Sequence, residues 1–139
     1  MCPERAFIDT NLFLRILTND VPEQADAVER LLRRAGVGEI ELVTNSLVIA
    51  EIVWTLESLF GLAPEDIKTK VMAILGTPGV EVDDSSFVLQ AIADYAEYNV
   101  GYADAFNAAW AVSQGVEKVF TFDQKHFGRL GGITPVVPE

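Results

Sequence analysis

Residues 6–14 read AFIDTNLFL, and the break inside that run decides the fold. Residues 5–8 form a short apolar strand, and a helical run follows at once from about Thr10 to Leu17. Asp9 stands at the junction, a carboxylate between two strongly apolar segments. An ionised group in apolar surroundings shifts its pKa, finds a partner or binds a cation.

The same alternation recurs along the chain. Asp20-Val21-Pro22-Glu23 resembles a capping box with proline in the first turn, opening a helix to about Ala35 with Ala25, Val28, Leu31 and Leu32 on its apolar stripe. Glu39 to Thr44 reads as a second strand. A long helix is expected from Ser46 to Gly61, its terminal glycine, and another from Pro64 to about Leu75. Val80 to Val82 is a short strand, and Asp83 to Ser86 cap a helix through about Tyr98. A helix from about Ala103 to Gln114 precedes strands at Lys118–Phe122 and Ile133–Val137. Strands alternating with one or two helices predict a parallel-type sheet flanked by helices, an α/β fold. With no linker, repeat or low-complexity segment in 139 residues, residues 1–139 are expected to form a single domain. Trp54 and Trp110 read as core residues.

Half the residues are hydrophobic, which excludes disorder, yet no apolar run approaches the roughly 18 residues of a membrane span. MCPERAFID has no basic segment, hydrophobic stretch or small-residue cleavage site, so no signal peptide is expected. Cys2, the only cysteine, can form no internal disulfide, and a cytoplasmic location is the simple reading. The net charge of −11, from 21 acids against ten Lys and Arg, argues against sequence-blind binding to nucleic acid. It leaves room for a nucleic-acid enzyme whose clustered acids hold divalent cations.

Ligand sites in such sheets collect beyond the carboxyl ends of strands. Asp9 and Asp123 each follow a strand, although an Asp there also serves as a helix cap. Glu51 interrupts a helix that is apolar on nearly every side, LVIAEIVW, and shares a face with Thr55 and Ser58. That face reads either as a solvent stripe or as the lining of a cleft. Asp104 and Asn107 share a helix face among small alanines, and Asp104 would also complement a helix N-terminus. Four converging carboxylates would repel one another without a cation, and oxygen-only ligands suit Mg²⁺ or Mn²⁺.

Four segments, IDTNLFLRIL, SLVIAEIVWTLES, YADAFNAAWAVSQG and VFTFDQKHF, together resemble the ordered motifs of PIN-domain ribonucleases. The resemblance is greatest to the VapC-type toxins of bacterial and archaeal toxin–antitoxin pairs. It implies a PIN-like three-layer α/β/α sandwich with a central, mainly parallel sheet of four to five strands. It implies metal-binding, catalytic acids at Asp9, Glu51, Asp104 and Asp123, with Asn11, Asn107 and Thr121 orienting them and Thr10 a weaker candidate. The activity implied is Mg²⁺- or Mn²⁺-dependent endoribonuclease cleavage of an RNA phosphodiester. The partners implied are an RNA substrate, a cognate antitoxin that lays a segment across the acidic site, and a second copy in a homodimer. Arg15, Lys118, Lys125 and Arg129 are the candidates for phosphate contact, while His126 reads as a solvent-facing or packing residue.

Other classes fit less well. Haloacid-dehalogenase-like phosphatases place D-x-D after the first strand, and Asn11 occupies the second acidic position here. Receiver domains need an acid beside Asp9, which is absent. A non-catalytic PIN-fold scaffold with a structural ion is the remaining alternative.

Overall fold

In the computed structural model, which describes residues 3–139, the opening stretch forms strand β1 (Glu4–Phe7) and helix α1 (Thr10–Thr18). Cys2 lies outside the described residues. Helix α1 buries Thr10, Phe13 and Leu14, and it stops where Asn19 turns left-handed and its N–H bonds the Arg15 carbonyl. Helix α2 (Pro22–Gly36) begins on proline, whose missing N–H costs nothing at that position, and it buries Ala25, Val28 and Ala35. The chain then returns as β2 (Ile40–Thr44), parallel to β1, with Glu4 opposite Ile40 and Phe7 opposite Val43.

Asn45 caps helix α3 (Ser46–Ser58) by accepting the Val48 N–H at 3.1 Å. Helix α4 (Pro64–Leu75) leads to β3 (Val80–Val82), which pairs in parallel with β2. Helices α5 (Ser85–Tyr98) and α6 (Tyr102–Ser113) follow, then β4 (Lys118–Phe120), the short α7 (Gln124–Phe127) and β5 (Thr134–Val136). Every strand pairing is parallel, in keeping with the α/β class expected from the sequence. The strands nevertheless divide into two hydrogen-bonded ladders, β1-β2-β3 and β4-β5. No helix among the described residues is long and apolar enough to cross a membrane.

The core centres on α3. Ile49, Ile52 and Leu56 are fully enclosed with Ile67 and Val71 of α4 and Val88, Ala91 and Ile92 of α5. Each large side chain buried in this way contributes about 1.5–3 kcal/mol. The helix expected to reach Gly61 ends at Ser58, and Gly61 follows in a left-handed conformation outside it. Both tryptophans are corrections to the sequence reading: Trp54 is 66% and Trp110 51% exposed. The inward face of α3 is already filled by Val48, Ile49, Ile52, Val53 and Leu56, and that of α6 by Tyr102, Ala105, Ala108 and Ala111. Each indole falls on the remaining face.

Two positions bear directly on stability. Gly79 has φ +81°, and a Cβ there would collide with the backbone of Ala35. Gly79→Ala should therefore lower the unfolding free energy by at least about 1–2 kcal/mol. The Thr44 hydroxyl is buried at the end of β2 without a hydrogen-bond partner. Thr44→Val, which keeps the shape and removes the orphaned group, should gain about 1 kcal/mol. Urea unfolding of the two variants checks both signs.

Candidate active site

The four acids occupy the positions their local sequence dictates. Asp9 is exposed at the N-cap of α1 and makes no side-chain capping bond. Glu51 projects from the exposed side of α3. The Thr10 hydroxyl, on a side chain only 6% exposed, donates to Glu51 Oε2 at 3.3 Å and so ties the start of α1 to α3. Sequence reading gave Thr10 the lesser role; the contact across 41 residues makes it the residue that positions Glu51.

Asp104 lies half-buried in the first turn of α6. Its Oδ2 sits 3.5 Å from where a Cβ on Gly101 would be, folded back over the helix start. Asp123 caps α7, accepting the His126 N–H at 3.0 Å. The His126 ring contacts the same carboxylate, with Nδ1 2.7 Å from Oδ2. Thr121 Oγ1 accepts the Asp123 N–H at 3.0 Å and holds that turn from the strand side.

Burial, and then the charge of Asp123, raise the Asp104 carboxyl above its ordinary value, so these two acids share one field. Asp123 moves the other way. The His126 backbone N–H is the main cause, followed by the His126 ring and, more weakly, the Arg129 guanidinium. Sequence reading set His126 aside as a solvent-facing or packing residue. The i, i+3 spacing from a helix-capping acid was the available signal for its real position. His126 also borders a cavity of about 360 Å³ with Glu57, Tyr95 and Gly101.

The acids thus form two pairs, Glu51 with neighbouring Asp9 through Thr10, and Asp104 with Asp123. Ala50 and Ala103, each adjacent to one of these acids, line a common depression of about 200 Å³ with Asn107. Asn11 is exposed in the cleft between α1 and α2 and, among the described residues, bonds none of the four acids. Oxygen-only donors suit a hard divalent cation. Yet no group of three or more His, Cys, Asp or Glu side chains among the described residues lies close enough to hold a metal ion. The donor chemistry fits such an ion, whereas the spacing of the two pairs does not.

Cations near the acids are few and mostly engaged. Arg15 donates to Gln24 at 2.7 Å and pairs with Asp20 at 3.3 Å. Arg129 donates to the carbonyl of Asn99 at 2.9 Å, Lys118 lies 6.0 Å from the Phe120 ring centre, and Lys125 is exposed.

Residues 6–133 match the PIN domain. The chain belongs to the PIN domain family. Among curated proteins it is similar to a VapC ribonuclease of Aquifex aeolicus (strain VF5), with 26% identity over 124 residues that cover 89% of this chain and 90% of that protein. Among solved structures it aligns with Mycobacterium tuberculosis VapC20, described as a sarcin–ricin loop cleaving toxin, at 18% identity and a TM-score of 0.41, covering 95% of this chain and 98% of that one. VapBC2 from Rickettsia felis, bound to a DNA fragment from its promoter, aligns at 15% identity and a TM-score of 0.39, covering 97% and 99%. The PIN match contains all four acids of the two pairs.

The opposed shifts have opposite linkage signs. The depressed Asp123 carboxyl contributes stability above the ordinary carboxylate range, lost as the pH falls through its lower folded value. The raised Asp104 carboxyl favours the folded state fully below the ordinary value, and that contribution is lost as the pH rises through its higher folded value. In chelator at pH 7, Asp104→Asn should melt above the wild type and Asp123→Asn below it. The first difference should vanish by about pH 4, where the second begins to shrink. Melting curves across pH test the assignment, and an Asp104→Asn protein no more stable than wild type at pH 7 contradicts it.

Proposed function

We propose that this chain is a divalent-metal-dependent endoribonuclease, acting as the toxin of a toxin–antitoxin pair. The observation that carries the proposal is the PIN domain match over residues 6–133, with carboxylates at all four positions read from the motifs. The similarity to the Aquifex VapC ribonuclease over most of both chains supports the ribonuclease reading. The reaction proposed is hydrolysis of an RNA phosphodiester, with Asp9, Glu51, Asp104 and Asp123 as the ligands of Mg²⁺ or Mn²⁺. Thr10 and Thr121 orient Glu51 and the Asp123 turn, and Asn107 lines the depression that Ala50 and Ala103 share. Arg129, Lys118, Lys125 and Arg15 are the cations assigned to RNA phosphates.

An antitoxin, a homodimeric partner and a cytoplasmic setting belong to the same proposal. Exposed carboxylates on a chain of net charge −11 are complementary to a cationic segment laid across them. The second reading is a PIN-fold scaffold that holds a structural ion and carries out no hydrolysis.

Asp9→Asn and Asp104→Asn should each keep the far-UV spectrum of the folded protein and lose RNA hydrolysis by about 100-fold or more, beyond the loss usual for a residue that merely supports a metal ligand. Cleavage of defined RNAs with Mg²⁺ or Mn²⁺, against a chelator control, measures the effect. Full activity in either variant sinks the assignment; no cleavage by wild type across several RNA classes favours the scaffold.

A further inference from the structure

A polar cavity of about 360 Å³ adjoins the second acid pair and takes no part in the hydrolysis proposed above. It lies among the end of α3, the start of α4, the turn from α5 to α6, and α7. Its volume is that of a small-molecule site. Its wall includes the His126 ring, whose Nδ1 is 2.7 Å from Asp123, and Gly101, over which the Asp104 carboxylate folds.

Glu57 stands on the same wall, a fifth carboxylate outside the four assigned to metal. The Tyr95 hydroxyl, on a side chain only 4% exposed, donates to Glu57 Oε2 at 2.6 Å across 38 residues. Burial, and then the Glu57 bond, push that hydroxyl up, so it remains the donor and Glu57 the acceptor. The bond pins the carboxylate beside the cavity, and an ionised carboxylate has lone pairs left for further donors. The turn from α5 to α6 supplies the opposite chemistry. Val100 is 3% exposed, yet neither its N–H nor that of Gly101 donates to a backbone carbonyl. A buried N–H without a partner is rare, and an acceptor placed in the cavity would complete it.

A pinned carboxylate takes two adjacent N–H groups, and a backbone N–H beside it takes an oxygen. Among the bases of RNA, only guanine carries two neighbouring donors, N1–H and the 2-amino group, next to an acceptor, O6. We propose that this cavity holds an unpaired guanine of the RNA, next to the scissile phosphate, with Glu57 reading N1–H and the 2-amino group and the Val100 or Gly101 N–H reading O6. Single strands and loops expose that edge of the base, whereas a duplex hides it. Recognition through a neutral base edge also suits a chain of net charge −11, whose cations near the acids are few and mostly engaged. A base seated between His126 and Gly101 has its flanking phosphate beside Asp123 and Asp104. This inference rests on the ribonuclease reading of the site, but seating the base requires neither metal nor cleavage.

Nucleoside binding, followed by NMR in chelator, is the first arm of the test. Guanosine should shift the Val100 and Gly101 amides. Inosine, which lacks only the 2-amino group, should bind at least about tenfold more weakly, because one hydrogen bond to a charged acceptor is lost. In Glu57→Gln, whose amide sets a donor against a donor of guanine, the preference for guanosine should disappear. The wild-type comparison decides the matter even if that variant fails to fold. The second arm uses a single-stranded RNA with one guanine and the same RNA with inosine in its place. With Mg²⁺, the wild type should cut beside the guanine, and at least about tenfold more slowly beside inosine. Equal binding of guanosine and inosine overturns the proposal. So does selective binding of guanosine with equal cleavage of the two RNAs, which would mark a site for a free nucleoside and leave the ribonuclease reading standing. A wild type that binds the guanine RNA over its inosine counterpart and cleaves neither supports the guanine site while removing the ribonuclease reading.

Discussion

The parallel pairing of β1 with β2 is the constraint on which the rest depends. Parallel neighbours require a crossover, and here the crossover is α1 and α2. Because β1 ends at Phe7 and α1 begins at Thr10, Asp9 has to lie at the carboxyl end of the ladder. The same geometry brings α1 onto α3, so that a hydroxyl in the first turn of one helix reaches a carboxylate on the other. Asp9 and Glu51 are thus brought to one region by backbone pairing and core packing, not by attraction between them.

The second pair is held differently. Asp104 depends on the helix start at Gly101, while Asp123 depends on its own capping bonds and on the His126 ring. Hydrogen bonds from the His126 backbone and ring favour the ionised form of Asp123, whereas burial, and then the Asp123 charge, make ionisation of Asp104 harder. Such opposed shifts in neighbouring carboxyls are a recurring property of functional sites. Most of the available cations are spent internally: Arg15 on Gln24 and Asp20, Arg33 on Glu29, Arg34 on Glu39. Arg33 and Arg34, in the last turn of α2, therefore belong to a solvated, salt-bridged face.

Much of the fold was legible because its signals are local. Prolines at the starts of α2 and α4, Asn45 before α3 and the short β-rich runs each mark a boundary through backbone chemistry. Trp54 and Trp110 were misread because size suggested burial, while helix phase decided otherwise. Helix α7 went unread because four residues carry no periodicity. Of the two roles the sequence offered Asp123, the structure displays the cap: one carboxylate oxygen accepts the His126 N–H, and the other meets the His126 ring.

By itself, the sequence determined the alternation of strands and helices, the parallel pairing this forces, and the placement of four acids at strand ends and on helix faces. Those follow from hydrophobic period, turn residues and capping, which act over a few positions. Only the tertiary structure decided which acids meet. It tied Glu51 to Thr10 and Asp104 to the field of Asp123, set His126 on Asp123, and divided the strands into two ladders. Those outcomes depend on contacts between segments dozens of residues apart, where packing of the α3 core and the balance of like charges prevail over any local preference.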